Sequence, residues 1–142
     1  MSPEDQLDLV KRHYALNGAG DFDGAAELVT DDFVITIPPY MPFAGVYTGK
    51  TAMRTLIPIV VASVSVSDVK YVATTVGDGY VAELVEFSLA GNDGPPMQGV
   101  EVNSFRDGKI CEIRPYYFDA TSMIEAAKVK ERFQDGPRGQ TV

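Results

Sequence analysis

The chain has 142 residues, 45% of them hydrophobic and 10% aromatic, which suits one domain built around one core. A formal net charge of −8 leaves no basic stripe to neutralise phosphates, so nucleic acids and anionic membrane surfaces are excluded as natural partners. With one cysteine, Cys111, and one histidine, His13, the chain makes no internal disulfide, assembles no zinc site of nitrogen and sulfur ligands, and fits a reducing, cytoplasmic setting.

Ser2-Pro3-Glu4-Asp5 reads as a helix start, with Ser2 as N-cap, Pro3 at the first helical position and acids in the first turn. Acids at this point also differ from the basic, then apolar, pattern of a secretory leader. Leu7, Val10 and Tyr14, with Leu9 and His13 beside them, form the buried stripe of a helix that ends near Asn17-Gly18. A second, short helix is predicted from Asp21 or Asp23 through Leu28, ending at Thr30-Asp31. Phe33 to Ile37 is a short strand stopped by Pro38-Pro39, and Tyr40 to Gly49 a loop rich in aromatics, Pro and Gly. Lys50 to about Ala62 is a helix bent at Pro58. The longest apolar stretch, Leu56 to Val66, falls short of the roughly 20 residues a membrane-spanning helix needs.

Ser65 to Val76 and Tyr80 to Leu89 form a long hairpin about Gly77-Asp78-Gly79, and the breaker-dense Gly91 to Pro96 is a mobile loop. Gln98 to Arg106 is the next strand. Asp107-Gly108 then supplies the two positive-φ positions of a type I′ turn into a last strand from Lys109 to Asp119. Thr121 caps a final helix from Ser122 to about Phe133, and Asp135 to Val142 is a polar, disordered tail. The order predicts an α+β fold over 1–134: a curved antiparallel sheet wrapped around three helices, plus a C-terminal helix, as a cone whose cavity takes a ligand.

Alternation along the strands predicts that Glu86 and Glu101 point into the cone, with Asn103, Arg114 and Tyr116 across from them. A carboxylate raised in pKa by an apolar cavity moves protons near neutral pH, and Arg114 or Tyr116 would steady a developing oxyanion; an ion pair of one glutamate with Arg114 is the structural alternative. His13, with its ordinary pKa near neutrality, is a further candidate for chemistry. Tyr14, Tyr40, Met41, Phe43, Tyr47, Phe105 and Phe118 are candidate pocket wall or core. The opposite face, with Val85, Phe87, Ile113 and Tyr117, is apolar enough for a homodimer, sheet against sheet.

Four segments in order, Asn17 to Gly24, Asp31-Asp32, Phe43 to Lys50 and Arg114 to Asp119, resemble the SnoaL-like polyketide cyclases over about residues 5 to 130. That family lies within the nuclear transport factor 2-like superfamily, beside ketosteroid isomerases and limonene-epoxide-hydrolase-type enzymes. The resemblance puts the isomerases' general-base position at Ile37, their oxyanion acid near Asn103, and their helix-one tyrosine at His13 or its neighbour Tyr14. The hydrolases' Arg-x-Asp falls at Leu84-x-Glu86, and the last-strand acid shared with the cyclases falls at Tyr116. It implies an enzyme without a cofactor that closes a ring in a hydrophobic polyketide-type intermediate. Two routes stay open: templating of a flexible substrate, [4+2] closure included, or acid/base chemistry by Glu86 or Glu101. A non-catalytic protein that binds a hydrophobic small molecule is the other class, and Gly91 to Pro96 would serve as a lid in either.

Overall fold

A computed structural model describes residues 1–141, with side chains described through Arg132. Ser2 opens helix α1 (Pro3–Gly18) with a capping box: its side chain accepts from the Asp5 amide while the Asp5 carboxylate accepts from the Ser2 amide. Leu9, Val10, His13 and Asn17 form the buried side of α1. Helix α2 is shorter than the sequence predicts, Phe22–Ala26, with Asp21 as its cap. Thr30-Asp31 does not end a helix but lies in strand β1 (Val29–Ile37), because Val29 and Phe33 are fully buried and reach the core only from an extended chain.

Strand β2 (Gly45–Thr48) occupies part of the predicted aromatic loop and pairs antiparallel with β1. Helix α3 (Ala52–Ser63) follows, with Pro58 inside it and Ala52 and Leu56 buried. The long strands are β3 (Val66–Gly77), β4 (Tyr80–Leu89), β5 (Met97–Arg106) and β6 (Lys109–Tyr117). The Asp107-Gly108 turn carries the predicted positive φ at both positions, and the first hairpin turn does the same at Asp78 and Gly79. The sheet order is β2-β1-β6-β5-β4-β3, antiparallel except where β1 runs parallel to β6, so it is mixed. Helix α4 (Thr121–Thr141) begins where the Asp119 carboxylate accepts from the Thr121 amide and hydroxyl. The predicted tail at 135–142 lies outside the residues whose side chains are described.

The curved sheet wraps α1, and the core of Val10, Phe33, Ile35, Leu56, Val81, Ile110, Ile113 and Met123 fills its concave side. Among the described residues no helix is long and apolar enough to cross a membrane.

The strand faces correct the sequence reading at two places. On β4 the inward series is Val81, Glu83, Val85, Phe87 and Leu89, so Glu86 points outward, where it accepts from Gln98. On β6 the buried residues are Ile110, Ile113 and Pro115, and Glu112, Arg114, Tyr116 and Phe118 face out. The reason is energetic: Arg114 pairs with Glu112 at 2.7 Å in contact with water, whereas turning it inward would desolvate a guanidinium to expose Ile113. Val85, Phe87, Ile113 and Tyr117 are therefore interior side chains and not the predicted dimer face.

Candidate active site

In an antiparallel sheet, residues directly opposite each other share a face. The registers place Thr74, Glu83, Glu101 and Pro115 in one inward row across β3 to β6, with Tyr71, Val85, Gly99 and Tyr117 in the next. On the other side of the carboxylate row lie Val76, Val81, Asn103 and Ile113. Pro115 breaks no ladder with β5. The Phe118 amide donates to the Gln98 carbonyl, which makes Glu101 and Pro115 a non-hydrogen-bonded pair.

Helix α1 lays Tyr14 over these rows. Its hydroxyl donates to Oε1 of Glu101 at 2.8 Å, and the Asn103 amide reaches the same hydroxyl oxygen at 3.4 Å. The Tyr71 ring stands 5.0 Å from the Tyr14 ring, centroid to centroid. Glu83 is 2% exposed; the Thr74 hydroxyl donates to its Oε2 at 2.5 Å, while its Oε1 and the Oδ1 of Asn103 have no protein partner.

Burial dominates the electrostatics. It lifts the Glu101 carboxyl to about 7, with Glu83 pushing in the same direction and the Tyr14 hydrogen bond opposing. Glu83 is also raised by burial, against the Thr74 hydrogen bond and the field of Lys11 on α1. Burial, and then the Glu101 charge, hold the Tyr14 phenol well above its ordinary value, and Tyr71 is pushed up to about 12. The phenols are thus donors throughout the physiological range. Glu101 changes its proton there.

Of the residues singled out from sequence, Tyr14, Glu101 and Asn103 come together in this cluster. His13 is fully buried one position away, its Nε2 facing the Asn17 amide at 3.2 Å and its ring packed near Phe33; burial lowers it to about 4, so it is neutral. Met41 and Phe43 are core, and Phe105 packs half-buried against it. Tyr47 donates to the Phe43 carbonyl at 2.9 Å. Tyr40 is exposed in a groove with Pro42 and Ile124. Glu86, Arg114, Tyr116 and Phe118 lie on the outer face, and the Gly91 to Pro96 loop borders Glu86, Gln98 and Phe118 there instead of the inward cluster.

Sequence reasoning missed Glu83, Thr74, Tyr71 and Tyr117. A signal existed for Glu83, since the odd positions of β4 are Val, Val, Phe and Leu apart from it, a more apolar series than Tyr80, Ala82, Leu84, Glu86 and Ser88. Among the described residues no group of three or more His, Cys, Asp or Glu is placed to hold a metal ion.

A curved six-stranded sheet around α1, with Tyr14 of that helix laid over its inward carboxyl row, is the architecture of the nuclear transport factor 2-like fold. The model of the SnoaL-like domain matches residues 10–113, and the chain belongs to that family. Among solved structures it is similar to a nuclear transport factor 2-like protein of Burkholderia xenovorans LB400, at 22% identity over 89% of this chain and 98% of that one, TM-score 0.73. It is also similar to Bal32a from a soil-derived mobile gene cassette, at 18% identity over 87% and 97%, TM-score 0.75. A third neighbour is a candidate ketosteroid isomerase of Kribbella flavida DSM 17836, at 14% identity over 83% and 81%, TM-score 0.65. At these identities the structures establish the fold. Among curated proteins, none matches the chain in sequence.

Proposed function

We propose that the protein is an isomerase- or cyclase-type enzyme that moves protons on an apolar carbonyl compound, with Glu101 as the base that takes a proton beside the carbonyl and the acid that returns it. The observation carrying this reading is the 2.8 Å contact of the Tyr14 hydroxyl with a Glu101 carboxyl lifted to about 7, since proton transfer is most effective from a group poised at the working pH. The Asn103 amide is a donor for the oxygen on which negative charge collects, and the Tyr14 hydroxyl, whose one proton goes to Glu101 in the free enzyme, turns to that oxygen once Glu101 has taken the substrate's proton. Returning the proton to a different carbon isomerises the substrate. Attack of the enolate on a second carbonyl of the same molecule closes a ring, the outcome that membership of the SnoaL-like family favours for a polyketide-type substrate. Tyr71 faces inward yet is 48% exposed, so the concave face is open to solvent beside it and gives the substrate a way in.

Catalysis within a homodimer belongs to the same proposal. Ala73, Leu84, Val100 and Tyr116 form a continuous row across the outer face of β3 to β6, and Leu84 and Val100 line a groove of about 390 Å³ with Phe118. A second copy of the chain, bringing the same row, would cover it.

The test is exchange. In D₂O, with β,γ-unsaturated cyclic ketones and linear polyketones as probes, wild type is expected to place deuterium beside the carbonyl. Glu101→Gln should lose at least about a hundredfold in rate while still binding the same ketones. Equal exchange by the two proteins would overturn the assignment of Glu101.

A further inference from the structure

Glu83 is the least exposed carboxylate described, and no step above uses it. It stands directly opposite Glu101 on the neighbouring strand, both side chains inward. Two carboxylates facing each other, one fully and one partly buried, do not both ionise freely, because the first charge opposes the second in a medium that screens less than water. Surrounding groups decide which ionises first. The Thr74 hydroxyl donates to Glu83, and the charge of Lys11 on α1 acts on Glu83. Glu101 receives the Tyr14 hydroxyl and has no cation acting on it; Tyr71 of β3 and Tyr117 of β6 also face it, both protonated phenols raised by burial and by its charge.

We infer that Glu83 is a positioning residue for Glu101: the two carboxyls titrate as one unit in which Glu83, steadied by Thr74 and Lys11, ionises first and its charge holds the second proton on Glu101. Geometry carries this through the strand register, the Thr74 donor and the unpartnered Oε1 of Glu83. The raised values of both carboxyls agree with it. The inference deepens the proposed function and rests on it for its catalytic meaning. The coupling itself can be read without any substrate.

The experiment is a pH titration of the glutamate carboxyl carbons by carbon-13 NMR, for wild type, Glu83→Gln and Thr74→Val. Glutamine keeps the shape of Glu83 and still accepts from Thr74, so removal of its charge should move the Glu101 midpoint down by about one pH unit. In Thr74→Val the two midpoints should move toward each other, Glu83 up for want of its donor and Glu101 down because its neighbour is more often neutral. If Glu83→Gln does not fold, the Thr74→Val convergence decides alone. A Glu101 midpoint unmoved in the folded variants would overturn the inference. Midpoints that move as expected in a protein that exchanges no deuterium into ketones would leave the coupling standing and remove the proposed function instead.

Discussion

Tyr14 and Glu101, 87 residues apart in the chain, meet at 2.8 Å inside the cone, hydroxyl to carboxyl. The bond favours the ionised carboxylate and is the main force acting against its burial. Tyr14→Phe should therefore raise the Glu101 midpoint above its value of about 7, by about one unit, and shift the acidic limb of any rate profile with it. A carbon-13 titration of the variant checks this. A midpoint that falls or stays fixed would show that the contact does not control the proton.

His13 and Glu101 pull stability in opposite directions with pH. Burial lowers His13 from 6.5 to about 4, so between those values the unfolded chain binds more protons and stability is lost as pH falls. Glu101 is raised from 4.5 to about 7, so between those values the folded chain binds more protons and stability is lost as pH rises. Each shift corresponds to at most about 3 kcal/mol, and the windows overlap from about 4.5 to 6.5. Wild type should show a shallow profile there. Glu101→Gln should become more stable as pH rises across the window, by up to about 3 kcal/mol, in denaturant titrations at fixed pH steps. A variant profile as shallow as wild type would show that the two opposing linkages are absent.

The fold was legible because its signals are local: the Ser2 cap, the two Asp-Gly turns and the long alternating strands each act over a few residues. Strand β2 was not, because Gly45 to Thr48 becomes a strand only by pairing with β1 and carries no strand pattern of its own. The site was half legible. Glu101 and Asn103 are the polar members of their face on β5, whereas β4 carries a glutamate on each face, and which one is buried depends on which series completes the core. On β6 the apparently functional series Glu112, Arg114, Tyr116 and Phe118 is a solvated face. There the cost of desolvating charge outweighs the pull of chemical interest.

Gly99 lies between Val85 and Tyr117 in register, two residues from Glu101 on the same inward face. A Cβ there would come within 3.1 Å of the Tyr116 carbonyl oxygen and 3.3 Å of the Tyr117 ring. The carbonyl belongs to a central strand and yields little, so Gly99→Ala should cost about 1–3 kcal/mol and displace Tyr117. Thermal unfolding and the Tyr117 ring resonances would report both effects. Wild-type stability with unmoved ring signals would show that the close approach is relieved without strain.

The outer face sets the last expectation. Leu84 and Tyr116 remain substantially exposed although they sit in the middle of a sheet, in line with Ala73 and Val100, and Phe118 beyond them is 86% exposed. A contiguous apolar strip of that kind is stable in water when another surface covers it. Leu84→Glu puts a carboxylate at the centre of the strip while leaving the inward residues of β4 untouched, so it should separate a dimer into folded monomers with the concave cluster intact. Sedimentation velocity over a concentration series gives the association state, and the Glu101 carbon titration reports the cluster in the same samples. A wild type that sediments as a monomer throughout, or a Leu84→Glu variant that stays dimeric, would show that this face is not where two chains meet.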